Sequence, residues 1–354
     1  MDGRAIRSLV NHPAFDYDEL RFDYGDVVLA AIGWGEWQSL ERSLAEGLAC
    51  TSDANERGEQ VEPTVLHAAT VAFRRARGLI AGDDYLRWLA DRSLSTADLS
   101  AHIVRAVLRE TAAGRLDEVL GAYPPGAEAL VNAIRGEAIL GERLRSWSER
   151  LARCAAAAHG LAAEGEEPAA SDDAITDLVE AAARCHASGL SEAQVRERAP
   201  RIAALMAAER QFRDRIATPE GIERCLAEHR LDWQRFVWQE VAFTSEGAAR
   251  EAALWVRDEG LTLAEAAGMA HAQNSVREAY CSEAAELSGL LMAASPGELL
   301  GPLAGEGSWW LACLHERTPP AVADPVLRTR AAGELVENAV ERHLAGRVSW
   351  HGKH

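Results

Sequence analysis

Phe236-Val-Trp-Gln-Glu-Val-Ala-Phe243 is the stretch on which the fold turns, because a mostly helical sequence changes character there and reads as a strand. A helix capped by Ser245 follows from Glu246 to Arg257, and Thr262-Leu-Ala-Glu265 has the pattern of a capping box opening a second helix. Ser295-Pro-Gly-Glu298 ends a third helix and turns the chain into a short strand, Leu299 to Leu303. The apolar run Trp309-Trp-Leu-Ala-Cys-Leu314 is the last strand. Residues 231–316 therefore predict strand, helix, helix, an unassigned middle, helix, turn and strand.

Upstream the pattern is helical. Aromatic anchors (Phe15, Tyr17, Phe22, Tyr24, Trp34, Trp37) surround the apolar segment Val27 to Ile32, and a helix is expected from Trp34 to Cys50. The polar stretch Thr51 to Glu62 reads as a loop, with Pro63 near the start of the next helix, Val65 to Ile80. A short helix is expected at Asp83 to Asp91, and Ser95-Thr-Ala-Asp98 caps another carrying Leu99, Ile103, Val107 and Leu108. Further helices are expected at Ala127 to His159, Ile175 to Ala187, Ser191 to Ala217 and, behind Thr218-Pro, at Pro219 to His229. Gly160 to Asp173 is the clearest linker-like interruption. No fixed-period repeat is present.

The chain has 354 residues, enough for two or three domains, and its 48% apolar share marks it as globular. A net charge of −18 opposes binding to phosphate backbones, so nucleic acid is not an expected partner. No run reaches the roughly 18 apolar residues of a membrane span, and Met1-Asp-Gly-Arg-Ala-Ile-Arg has no apolar core behind it; the expectation is a cytoplasmic chain with no membrane partner. The six cysteines lack a C-x-x-C pair and read as free thiols in a reducing compartment.

The order of elements in residues 231–316 resembles the parvulin-type peptidyl-prolyl isomerases. Gly260-Leu-Thr-Leu-Ala-Glu-Ala-Ala267 and Ser295-Pro-Gly-Glu-Leu-Leu-Gly-Pro302 stand where that family carries phrases like G-x-F-x-x-L-A and x-P-G-E-x-S-x-P. The helical part is similar to the amino-terminal region of SurA and related chaperones, through Phe73 to Ile80, Tyr85 to Leu89, Leu94 to Leu99 and His102 to Glu110. Residues 115–215 fall outside that resemblance. The family's strand histidines are replaced, by Glu240 in the first strand and by Trp309 or Trp310 in the last, and its glycine-rich segment gives way to Gly268 to Ser282. Because those histidines form a polar network beneath the isomerase pocket, the resemblance implies peptide binding with weak or no isomerase activity.

Expectation thus settles on an α+β chain. An all-helical SurA-like region spans 1–230, a small parvulin-like domain with an antiparallel sheet spans 231–318, and a helical extension spans 319–354. Glu240 is the candidate catalytic carboxylate; Trp238, Phe243, Met292, Trp309, Trp310 and Cys313 are the candidate peptide-binding residues. The expected partner is a peptide or unfolded polypeptide, with no cofactor. The alternative is an enzyme or accessory factor that matures a ribosomally made precursor peptide in the same groove.

Other chemistry is thinner. Cys225 and His229 stand four apart on one helical face, but the sequence identifies no third ligand, so they read as a packed thiol and a surface imidazole and no metal is expected. Cys154 with His159 and the adjacent Cys185 and His186 are weaker still. There is no G-x-G-x-x-G after a strand, no P-loop and no H-E-x-x-H, which leaves nucleotide and zinc-protease chemistry without support.

Overall fold

The computed structural model describes residues 6–284, 287–305 and 307–351. They form an α+β chain with sixteen α-helices and two antiparallel sheets. Their contacts divide into two compact units: residues up to Arg213 together with those from Ala339 onward, and the continuous stretch Asp214–Asn338. Among the described residues, no helix is long and apolar enough to cross a membrane.

The first unit opens with α1 (Ile6–Leu9), β1 (Pro13–Tyr17), β2 (Leu20–Asp23), α2 (Tyr24–Gly33) and α3 (Glu36–Glu56). It continues through α4 (Pro63–Ala76), α5 (Gly82–Asp91), α6 (Thr96–Thr111), α7 (Leu116–Ala122), α8 (Ala127–Leu140), α9 (Arg143–Ala163), α10 (Asp172–Ala183) and α11 (Glu192–Ile216). Helix α2 is buried along nearly its whole length and packs against α9 and α10, so it is the axis of this core. Its first turn is held by a reciprocal cap between Asp23 and Asp26, and both carboxylates are gripped from α11: Arg198 reaches Asp23 at 2.7 Å and Arg201 pairs with Asp26.

The expectation of an all-helical region to residue 230 is corrected here. Strands β1 and β2 form a hairpin, and β7 (Val348–Trp350) pairs with the other edge of β1, giving the order β2-β1-β7. These strands are five, four and three residues long, and what holds them is aromatic packing: Phe15 stacks on Phe22 at 4.7 Å and meets Trp350 at 5.4 Å. Two further readings shift. Helix α3 runs through Thr51 to Glu56, with Asp53 tied to Arg57 at 2.9 Å. The single helix expected from Ala127 to His159 is two, broken where Glu142 adopts a positive φ of 57°.

The second unit contains α12 (Pro219–Glu228), β3 (Arg235–Phe243), α13 (Glu246–Asp258), α14 (Leu263–Met269), β4 (Gln273–Tyr280), α15 (Ser288–Ala293), β5 (Leu299–Gly305) and β6 (Ser308–Thr318), and α16 (Pro325–Leu344) starts within it. Helix α12 belongs here because Ile222, Cys225 and Leu226 bury against Trp233 and against Leu327 and Ala331 of α16. The sheet order is β4-β3-β6-β5, all pairs antiparallel, so the predicted strands form its centre and one edge. The unassigned middle supplies the other edge, β4. Between β5 and β6 the register slips at Gly301, whose φ is +106° and whose missing Cβ would sit 2.6 Å from the Trp310 carbonyl oxygen.

Alternation along β3 and β6 sends side chains to two faces. Val241, Phe243 and Leu311 meet Ala249, Ala252 and Ala253 of α13 and Leu263, Ala266 and Ala267 of α14. Phe236, Trp238, Ala312 and Leu314 meet Ala284, Leu291 and Ala294.

Candidate functional site

Over the Glu240 end of the second face of the sheet, beside α15, lies a cleft of about 330 Å³. Its walls are Leu287 and Leu290 from the α15 side, Leu303, Ala304 and Gly305 from edge strand β5, and Trp310 and Ala312 from β6. Glu240 of β3 is the charged residue in the lining. This volume sits at the low end of the roughly 300–1,000 Å³ of small-ligand sites, so it has room for a small group or one or two side chains. The Trp310 indole lies directly against Gly305, where a Cβ would fall 2.5 Å from Nε1; glycine at that position leaves the ring its room.

Glu240 is buried, and its carboxylate is held on three sides. Trp238 Nε1–H donates to Oε2 at 3.1 Å, while Ser275 Oγ–H at 3.3 Å and Arg277 Nε–H at 2.8 Å donate to Oε1. Strand pairing makes this possible, since Ser275 stands opposite Glu240 across β3 and β4, and Arg277 stands opposite Trp238. A carboxylate inside a sheet is costly without partners, and here the neighbouring edge strand provides them. The group is positioned as a fixed negative charge at the wall of the cleft.

The predicted peptide-binding residues separate. Trp310 lines the cleft with Glu240. Trp238 and Met292 belong to the core beneath the same face, where Trp238 acts through its bond to Glu240. Phe243, Trp309 and Cys313 pack on the opposite face, against the α13–α14 cluster. Strand alternation separates them: the odd-numbered Phe243, Trp309 and Cys313 lie on the face opposite to the one that carries Glu240 and Trp310. Leu287, Leu290 and Leu303 complete the lining of the cleft.

All six cysteines are free. Burial is the first cause that pushes each of their thiols up, with Cys225 reaching about 11 and Cys185 about 12. None is therefore set up as a nucleophilic thiolate. Cys154 is tied to Glu209 at 3.6 Å and Cys185 to the Ala181 carbonyl at 3.4 Å. The pair Cys225 and His229 differs in having a third group nearby. Glu334 of α16 reaches His229 Nε2 at 2.7 Å, and ligand atoms of the three residues lie within 4.8 Å of one another. No spacing rule could have linked Glu334 to a pair more than a hundred residues upstream.

Compared with known proteins, the chain matches no family model and no curated sequence.

Proposed function

We propose that the chain binds an extended peptide, seating a proline or another apolar side chain in the cleft over the four-stranded sheet, as a chaperone-like module of the parvulin and SurA type. The carrying observation is the cleft itself: aliphatic and indole walls around one fixed carboxylate, beside an edge strand. Apolar walls supply affinity by excluding water, and the outer edge of β5 offers backbone groups for strand addition. Glu240, already engaged by Trp238, Ser275 and Arg277, acts as an electrostatic and positioning element in this reading. Isomerase activity is weak or absent, in keeping with the replaced histidines. Six free thiols suit a reducing setting such as the cytoplasm.

A panel of apolar peptides, each paired with a proline-to-alanine version, tests this by fluorescence and calorimetry. Saturable binding at high micromolar peptide is expected. Trp310→Ala should weaken it by roughly tenfold, the loss of one aromatic anchor, and Leu290→Lys should do likewise without unfolding the protein. Folded protein that binds no peptide, or Trp310→Ala that binds unchanged, overturns the proposal. A mass change on an incubated precursor peptide moves the reading to catalysis in the same groove.

A further inference from the structure

We infer that Cys225, His229 and Glu334 form a binding site for a divalent cation of the zinc class, separate from the peptide cleft. Cys225 and His229 are joined by one helical turn, since the His229 N–H donates to the Cys225 carbonyl at 3.0 Å, and both side chains leave α12 on the face that meets α16. Glu334 completes the set from α16. Their ligand atoms already lie within 4.8 Å of one another. Tetrahedral zinc, with bonds of about 2.0–2.3 Å, needs separations of roughly 3.3–3.8 Å, so small side-chain rotations suffice. His229 Nε2 and Glu334 Oε1, hydrogen-bonded at 2.7 Å, would open by less than an ångström as the cation enters, with any proton on Nε2 passing to Nδ1 or to solvent so that Nε2 can ligate.

Asp232 Oδ2 lies 4.0 Å from His229 Nδ1, too long for a hydrogen bond, beside the ring nitrogen that Glu334 does not engage. Trp233 stacks on the imidazole at 4.3 Å and 13°, which locks the ring plane. Cys225 is 3% exposed, backed by the apolar cluster between the two helices, whereas His229 and Glu334 are half-buried, so a cation has an entry side and a dry side. His229 also terminates α12, where the helix dipole favours positive charge. Binding takes the Cys225 thiol to a thiolate and releases its proton to solvent; no electron moves. A thiolate, an imidazole and a carboxylate together select zinc or cobalt over magnesium or calcium. Three protein ligands leave a fourth position for water or a bound group.

Cobalt titration of the full chain, stripped with chelator and kept reduced, is the test. About one equivalent should bind with a near-ultraviolet sulfur-to-cobalt charge-transfer band and visible bands of four-coordinate intensity, and zinc should displace both. Cys225→Ser should abolish the charge-transfer band. Glu334→Gln, which preserves volume and a hydrogen bond to His229, should weaken cobalt by at least the roughly tenfold that losing an outer-shell partner costs. Zinc should also raise the melting temperature of the parent chain and not of Glu334→Gln. Absence of the thiolate band in the parent chain overturns the inference, as does a band that survives in Cys225→Ser. If Cys225→Ser does not fold, parent-like cobalt affinity in both Glu334→Gln and His229→Gln overturns it.

Discussion

On one face of the four-stranded sheet, α13 and α14 lay small alanines against Val241, Phe243 and Leu311 and shut out water; on the other, six-residue α15 covers the Phe236 end and leaves the Glu240 end open. The closed face is apolar throughout its core, whereas the open face carries a carboxylate, an indole N–H and a guanidinium in one network. The difference puts the sealed core on the first face, while the proposed peptide binding rests on the second. A sheet needs one face sealed to hold its register, and that frees the other to keep polar groups and empty volume.

The largest expected effect comes from breaking the closed face. Leu311→Ala, at a fully buried position, should cost about 2–5 kcal/mol in urea unfolding through the cavity it leaves. On the open face Glu240→Ala should cost less, about 1–3 kcal/mol, chiefly because the Trp238 indole N–H loses its acceptor. Arg277, whose side chain is 60% exposed, turns to solvent instead. A Glu240→Ala variant less stable than Leu311→Ala would reverse the assignment.

The smallest effect concerns the cap of α14. The Thr262 backbone N–H, then the Thr262 hydroxyl, hold the Glu265 carboxyl below its usual range. A carboxyl depressed in the folded state stabilises above its unfolded value, about 4.3, and that contribution fades as pH falls through the folded value. Amide exchange in the first turn of α14 should quicken below that pH, and Thr262→Ala, which removes the hydroxyl but keeps the backbone N–H, should move Glu265 part of the way back toward the ordinary range in an NMR titration. Unchanged Glu265 in Thr262→Ala would show that the hydroxyl has no part in holding the carboxyl.

What the sequence disclosed was local. Ser95 with Asp98, Thr262 with Glu265 and Thr218 ahead of Pro219 are caps written within a few residues, and each forms as read. Ser295-Pro-Gly-Glu298 likewise makes its turn, with the Glu298 N–H donating to the Ser295 carbonyl at 3.0 Å and Gly297 at a φ of +85°. Strand β4 was illegible because Gln273 to Tyr280 is a mostly exposed edge without apolar alternation, and its identity comes from pairing with β3. That omission hid Ser275 and Arg277, which explain how Glu240 is tolerated. The cleft was half legible: Glu240 and Trp310 were found by their places on strands, while Leu287, Leu290 and Leu303 carry no signal apart from the fold. Glu334 meets His229 only through the packing of α12 on α16.

The pairing of β1 with β7 has a consequence for biosynthesis. As the ribosome extends the chain, Asp214–Asn338 emerges as one uninterrupted stretch holding every strand its sheet requires, so it can mature on the way out. Strand β1 must instead wait, one edge bare and Phe15 lacking its indole neighbour, until Val348–Trp350 arrives. A nascent chain stalled before Val348 would leave that edge of β1 without its partner strand.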